Sequence, residues 1–356
     1  MRIAIAHEWL DQRAGSEKTF EALAAAFPEA DLFALTRSSA DFDFGGRIVH
    51  TTFLDRLGPL REKRGALLPL MPAAWRTVSK ERYDLVITSS HACAKGFYPG
   101  RSAPHLCYCH TPMRYAWLPD VDRRGQKAKL VGPFFRSWDR RSAKWVDSFA
   151  ANSMEVRDRI RTFYHREARV IPPPVDTEFF TPGGDPKGDY ILAVSRFIAY
   201  KRIDLAIRAA ALADVPIVVA GRGPDEGRLR ELAEAIHPRH VRFVIGPSSE
   251  ELRTLYRRAR ALVYPAHEDF GIVPVEAQAC GAPVVGPRLG GLIDTVIDGS
   301  TGILVEGQTS AALADGVRAA LGLSDAPQRC VRHARQFSKK KFEERILEWA
   351  ASEVGS

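Results

Sequence analysis

From Tyr190 onward the chain alternates short apolar runs with amphipathic stretches, a pattern that few folds accommodate. YILAVS, PIVVAG, VRFVIG, ALVYPA, PVVGP and GILV alternate with IDLAIRAAALA, EGRLRELAEAI, SEELRTLYRRAR, IVPVEAQAC and SAALADGVRAALG. The apolar runs are short and rich in Val, Ile or Ala, and the stretches between them carry apolar residues at helical spacing. This reads as repeated β–α units around a parallel sheet buried on both faces. A doubly wound α/β domain follows. The first half has the same pattern with longer insertions: RIAIAH, DLFALT, DLVITSS, PHLCYCH, SFAANS and ARVIPP read as strands, and Glu17–Phe27 and Glu155–Tyr164 as helices.

The chain has 356 residues, which at roughly 100–200 residues per domain predicts two domains. Between the halves lies IPPPVDTEFFTPGGDPKGDY, where Pro172–Pro174 interrupt any helix or central strand and Gly183, Gly184 and Gly188 loosen the chain. It reads as a linker between domains at 1–175 and 185–336. The terminal stretch 337–356 reads as a helix, with Ser338 as cap and Phe342, Ile346 and Trp349 on one face. Apolar residues at 45% and charged residues at 26% exclude disordered, fibrous and polytopic membrane classes. The opening apolar run ends at His7 and Glu8, too short for a secretory leader, and no run approaches the ~18 apolar residues of a spanning helix. A cytoplasmic location is expected. Five scattered cysteines (Cys93, Cys107, Cys109, Cys280, Cys330) suit reduced thiols.

The net charge of +8 is uneven: residues 1–180 carry 28 basic and 21 acidic residues, a balance of +7. Arg123 to Lys144 alone holds eight basic residues against Asp139, with Phe134, Phe135, Trp138 and Trp145 in and beside the segment. Such a stretch suits an anionic lipid surface, a nucleic acid, or a solvated face over a packed aromatic seam. Residues 58–82 have the same mixed character.

The strongest chemical constellation is Glu268-Asp-Phe-Gly-Ile-Val-Pro-Val-Glu276, followed by AQACGAPVVG. One glutamate falls just after strand ALVYPA and the other inside the next helix, whose first amides, after Gly271, suit phosphate oxygens. Arg196 and Lys201 follow strand YILAVS and precede a helix, at the strand ends where ligands collect. Basic residues are unfavourable at that dipole end, which favours a diphosphate ligand. Gly221 and Gly223 form a short turn lacking the third glycine of a dinucleotide fingerprint. Gly15 precedes the first helix and permits close backbone approach. His91 and His110 each follow a strand, and either can line a cleft. His105, Cys107 and Cys109 share a strand face from which His110 turns away, so a zinc site is not expected. Asp41–Asp43 and Asp120–Asp122 read as surface acids, not cation ligands.

AVSRFIAYKRID, AGRGP, EELRTLYRRARALVYPA, the paired glutamates with EAQACGAPVV, and GGLIDTVIDGSTGILV together resemble the retaining family 4 glycosyltransferases, over about residues 190–310. CYCHTPMRYAW is similar to a subgroup that transfers mannose from GDP-mannose in surface polysaccharide assembly. The resemblance implies the GT-B architecture: two Rossmann-like domains facing across a cleft, the first on the acceptor side, with the C-terminal helix crossing back to complete it. It implies that Arg196 and Lys201 hold the donor diphosphate and that Glu268 contacts the donor sugar. Backbone amides of Phe270, Gly271, Ile272 and Val273 would serve the donor, Glu276 its ribose, and Gly15, Gly221 and Gly223 the donor site. His91 is the choice for the histidine near the transferred sugar, with His110 its competitor; His110 and Arg114 fall on the acceptor side.

The implied reaction is metal-independent and needs no cofactor beyond the nucleotide-diphospho-sugar, expected to be GDP-mannose. The expected acceptor is a lipid-linked saccharide at the inner membrane face, reached through residues 123–144. A UDP-sugar donor is the alternative within the fold. A basic nucleic-acid-binding protein is the alternative from another class, and it leaves the phosphate constellation unexplained.

Overall fold

The structure, a computed structural model, describes residues 1–12, 14–38, 42, 44–58, 67–99, 103–118, 127–184 and 186–354, without the side chains of 127–131. It divides into two compact units, Met1–Pro174 with Phe342–Ser356, and Val175–Lys341.

The first unit is built on seven parallel strands: β1 (Ile3–Leu10), β2 (Asp31–Arg37), β3 (Val49–Thr51), β4 (Leu85–Ser90), β5 (His105–Cys109), β6 (Ser148–Ala151) and β7 (Ala168–Val170). Their order is β3-β2-β1-β4-β5-β6-β7. The chain turns outward in opposite directions from β1 and β4, so the carboxyl ends of these two strands flank the topological switch point. β1 pairs in parallel with β4, with His7 opposite Ser89. One face of the sheet packs Ile3, Ile5, Phe20 and Leu32; the other packs Ala4, Ala6, Trp75 and Phe97. The strand read as ending at His7 runs on to Leu10, and both His7 and Glu8 are fully buried.

Helix Lys339–Val354 completes the first core. Ser338 Oγ accepts from the Lys341 amide at 3.2 Å, and Phe342, Ile346 and Trp349 are buried against the sheet. Phe342 meets Tyr108 edge-on at 5.7 Å, and Trp349 Nε1 donates to Ser148 Oγ at 2.9 Å. The basic segment forms helix Lys127–Ala143 in spite of Pro133. Its lone acid is no surface group. Asp139 is fully buried, paired with Lys95, and accepts from Trp117 Nε1 and Tyr164 Oη, both at 2.7 Å.

The second unit has six parallel strands, β8 (Ile191–Val194), β9 (Ile217–Gly221), β10 (Val241–Ile245), β11 (Leu262–Val263), β12 (Val284–Pro287) and β13 (Gly302–Val305), in the order β10-β9-β8-β11-β12-β13. The switch point lies between β8 and β11. Part of the expected linker belongs to this core instead: Val175 and Phe180 are buried in it, and the Val175 amide donates to the Phe337 carbonyl at 2.8 Å.

Candidate active site

Both sheets bring polar side chains to their switch points. In the second unit, Arg196 and Lys201 follow β8, while Glu268 follows β11. Lys201 Nζ forms an ion pair with Glu268 Oε1, the lysine buried and the glutamate half-buried. An ammonium has three donors, so this pair leaves two for a ligand's oxygens. Arg196 is exposed and donates to Tyr200 Oη at 3.3 Å.

Helix Ile272–Ala279 starts directly after the Glu268 loop. Gly271 enters it at φ 86°, a left-handed conformation that costs glycine little. Ile272 and Val273, both half-buried residues, place their amides in its first turn, where intrahelical acceptors are absent and the dipole favours an anion. Glu276, one turn on, is buried and accepts from Tyr256 Oη at 3.1 Å. Burial, then the Glu276 charge, drives the Tyr256 phenol well above its ordinary range, so it stays a hydrogen-bond donor.

The glycines are set by crowding from backbone. A Cβ at Gly221 would lie 1.8 Å from the Ser195 carbonyl oxygen, and one at Gly223 2.4 Å from that of Phe197. The turn after β9 thus presses on the segment that carries Arg196. Gly291, to which sequence reasoning attached no role, does the same for the glutamate loop: its Cβ would meet the Phe270 oxygen at 2.1 Å, and its amide donates to the Glu268 carbonyl at 2.9 Å. The adjacent glycines in GGLID were the available signal.

In the first unit, three histidines converge at neighbouring strand ends. The rings of His7, His91 and His110 lie 5.8 to 6.2 Å apart, and Ser89 Oγ bridges His7 Nδ1 at 3.0 Å and His110 Nε2 at 2.8 Å. The two histidines considered as competitors are therefore neighbours, and His7 is a third member that sequence reasoning missed. Burial, with the other imidazoles nearby, pushes His110 down to about 3 and His7 well below its usual range. His91 is half-buried, with the Trp9 ring edge-on at 4.7 Å. Arg114 opens the short helix Arg114–Trp117 and is half-buried; Gly15 is the first residue of helix Gly15–Ala26. His105 sits apart, fully buried, stacked on Tyr98 and within 3.1 Å of Thr88 Oγ1. Asp41, Asp43, Asp120, Asp122, Arg123 and Arg124 lie outside the described residues.

Two family models match in succession, Glycosyltransferase Family 4 over residues 14–179 and Glycosyl transferases group 1 over residues 175–337. Over these successive spans the chain carries the domains of a family 4 type glycosyltransferase. Its two parallel-sheet, Rossmann-like units are those of the GT-B fold. A D-inositol 3-phosphate glycosyltransferase of Actinosynnema mirum is 33% identical over 279 residues, covering 68% of this chain and 65% of the relative. Another protein of that description, from Mycobacterium sp. (strain KMS), is 38% identical over 189 residues, covering 48% of this chain and 43% of the relative. The matches thus span less than two thirds of those relatives' own length. Among solved structures, sucrose-phosphate synthase from Thermosynechococcus elongatus superposes with a TM-score of 0.76 at 22% identity, over 98% of both chains. Anabaena HepE in complex with UDP gives 0.73 at 17% identity, over 99% of this chain and 100% of that one.

Proposed function

We propose that this glycosyltransferase transfers a sugar with retention of configuration from a nucleotide-diphospho-sugar, and that the donor is GDP-mannose. The observation carrying the proposal is the Lys201–Glu268 pair at the β8/β11 switch point, beside the glycine-entered helix that holds Glu276. Lys201 and Arg196 take the diphosphate oxygens together with the Ile272 and Val273 amides. Glu268 accepts from the sugar hydroxyls through its second oxygen, and Glu276, steadied by Tyr256, takes the ribose. Phe270 and Gly271 hold these groups in register.

Transfer builds positive charge on the sugar and negative charge on the departing diphosphate, so fixed cations and helix amides at the phosphates lower the barrier. The glutamates have separate tasks, which differs from the paired carboxylates of retaining hydrolases. The acceptor hydroxyl attacks from the face the diphosphate leaves; its oxygen bonds to the anomeric carbon as the carbon–phosphate-oxygen bond breaks, and the departing oxygen takes the proton. Charge neutralisation by side chains and amides carries this scheme without a metal. His91 is the first unit's contribution near the transferred sugar, with His110 and Arg114 serving the acceptor.

The acceptor is proposed to be a lipid-linked saccharide, approached from the inner face of the membrane. Supporting this, a groove of about 580 Å³ on helix Lys127–Ala143 is lined by Trp117, Arg136, Arg140, Arg141 and Lys144, and Phe134 is 63% exposed nearby. Among the described residues no helix is long and apolar enough to cross a membrane, so contact there would be peripheral. A UDP-sugar donor is the second reading, favoured by the UDP held in the similarly folded Anabaena structure.

The test is transfer to a lipid-linked acceptor pool from GDP-mannose, UDP-glucose and UDP-N-acetylglucosamine, with product anomers assigned by NMR. Retained configuration is expected, with loss of transfer in folded Lys201→Ala and Glu268→Ala. Inverted product, or full activity in either variant, would overturn the mechanism. Failure to sediment with anionic vesicles at low salt would remove the membrane contact.

A further inference from the structure

Glu8 lies in β1 as a fully buried carboxylate, next to His7 and Trp9 but on the opposite sheet face from His7. Its Oε1 accepts from Ser90 Oγ at 3.1 Å and from the amides of His91, Ala92 and Ala94 at 3.0, 2.7 and 3.0 Å. Oε2 accepts from the Cys93 amide at 3.1 Å. Four successive amides thus wrap one carboxylate at the end of β4, where strand pairing has stopped. Lys95 Nζ donates to the Ala92 carbonyl at 3.1 Å and forms an ion pair with Asp139, tying down the far end of the same loop.

We propose that Glu8 is a positioning residue for transfer, its carboxylate fixing the backbone from which His91 projects. This rests on the reading that His91 acts near the transferred sugar. An amide array of this kind needs an acceptor with two oxygens. Glutamine keeps one oxygen and turns an NH2 toward the Cys93 amide, donor against donor, so the loop must shift. A misplacement of about 1 Å can cost a reaction roughly 100-fold. The array lies wholly within the first unit, whereas the groups proposed to take the diphosphate belong to the second, so donor affinity is expected to stay.

The test uses the full chain and its donor, GDP-mannose or UDP-glucose, with a readout of His91 besides activity. Glu8→Gln is expected to lower kcat roughly 10- to 100-fold at unchanged donor KM, and to move the His91 imidazole resonances in a 1H–15N spectrum while those of exposed His165 stay. Glu8→Asp, one methylene shorter but with two oxygens, should recover part of kcat. Should Glu8→Gln not fold, Ser90→Ala removes one donor to the same oxygen, and a smaller change in the same two readouts is expected. Unaltered His91 resonances and kcat in a folded variant would overturn the positioning role. Full activity in His91→Ala would instead overturn the reading beneath it, and because that result leaves the Glu8 variant's imidazole shift intact, the two failures are distinct.

Discussion

Replacing Lys95 by methionine should destabilise the first unit by about 3–5 kcal/mol, the usual cost of removing one partner from a buried ion pair. Lys95 and Asp139 side chains are 2% and 0% exposed, so Asp139 would keep only its bonds from Trp117 and Tyr164 in place of a full counter-charge. At roughly 2–4 °C per kcal/mol for a domain of this size, the unfolding midpoint falls by roughly 6 to 20 °C. Calorimetry or tryptophan fluorescence in urea would follow it. The companion Lys95→Met/Asp139→Asn keeps an oxygen for Trp117 and Tyr164 while removing the orphaned charge, and should regain at least half the loss. A single variant within 1 kcal/mol of wild type, or a double variant worse than the single, would refute the assignment of Asp139 as a charge held by Lys95.

Other perturbations give separate tests. Tyr256→Phe leaves buried Glu276 one donor short; nucleotide binding by calorimetry should weaken by about 1–3 kcal/mol, and an unchanged Kd would detach Tyr256 from the donor site. Trp349→Ala, which empties part of the first core, should cost about 3–5 kcal/mol in urea unfolding. Acid should destabilise the fold through neutral buried histidines: burial first holds His105 down to about 4 and His110 to about 3. The unfolded chain, near 6.5, binds protons first, so stability is lost as pH falls from about 6.5 toward those values. At pH 5 the loss is about 2 kcal/mol for each, read as a fall in urea midpoint that His110→Gln should reduce.

The strands were legible in the sequence because each is a short apolar run bounded by turn residues, and their parallel order follows from the helices between them. β3 escaped since Val49–Thr51 has no apolar pattern of its own. The candidate grouping in the second unit was legible because Arg196, Lys201 and Glu268 all sit where parallel strands end, and the structure pairs Lys201 with Glu268. Glu8 and His7 could not, because a polar pair in an apolar run reads as the end of a strand; the resumption at Trp9 and Leu10 was the overlooked sign. Asp139 was legible only as the lone acid of a basic segment: sequence alone does not show that Lys95, 44 positions away, neutralises it. Tyr256 fell within the helical stretch SEELRTLYRRAR, and its hydroxyl's partner, Glu276, lay in another element.

The diphosphate site proposed for the second unit is tested most directly by calorimetric titration of GDP and UDP into wild type, Lys201→Ala and Arg196→Ala. A charged hydrogen bond contributes about 1.5–3 kcal/mol, so one of the nucleotides should bind wild type and lose roughly 10- to 100-fold in affinity in Lys201→Ala, with a loss in the same direction in Arg196→Ala. Selective binding of GDP would support mannosyl transfer, and selective binding of UDP would replace the donor while keeping the site. Affinity unchanged in both variants, or no binding of either nucleotide to wild type, would contradict it.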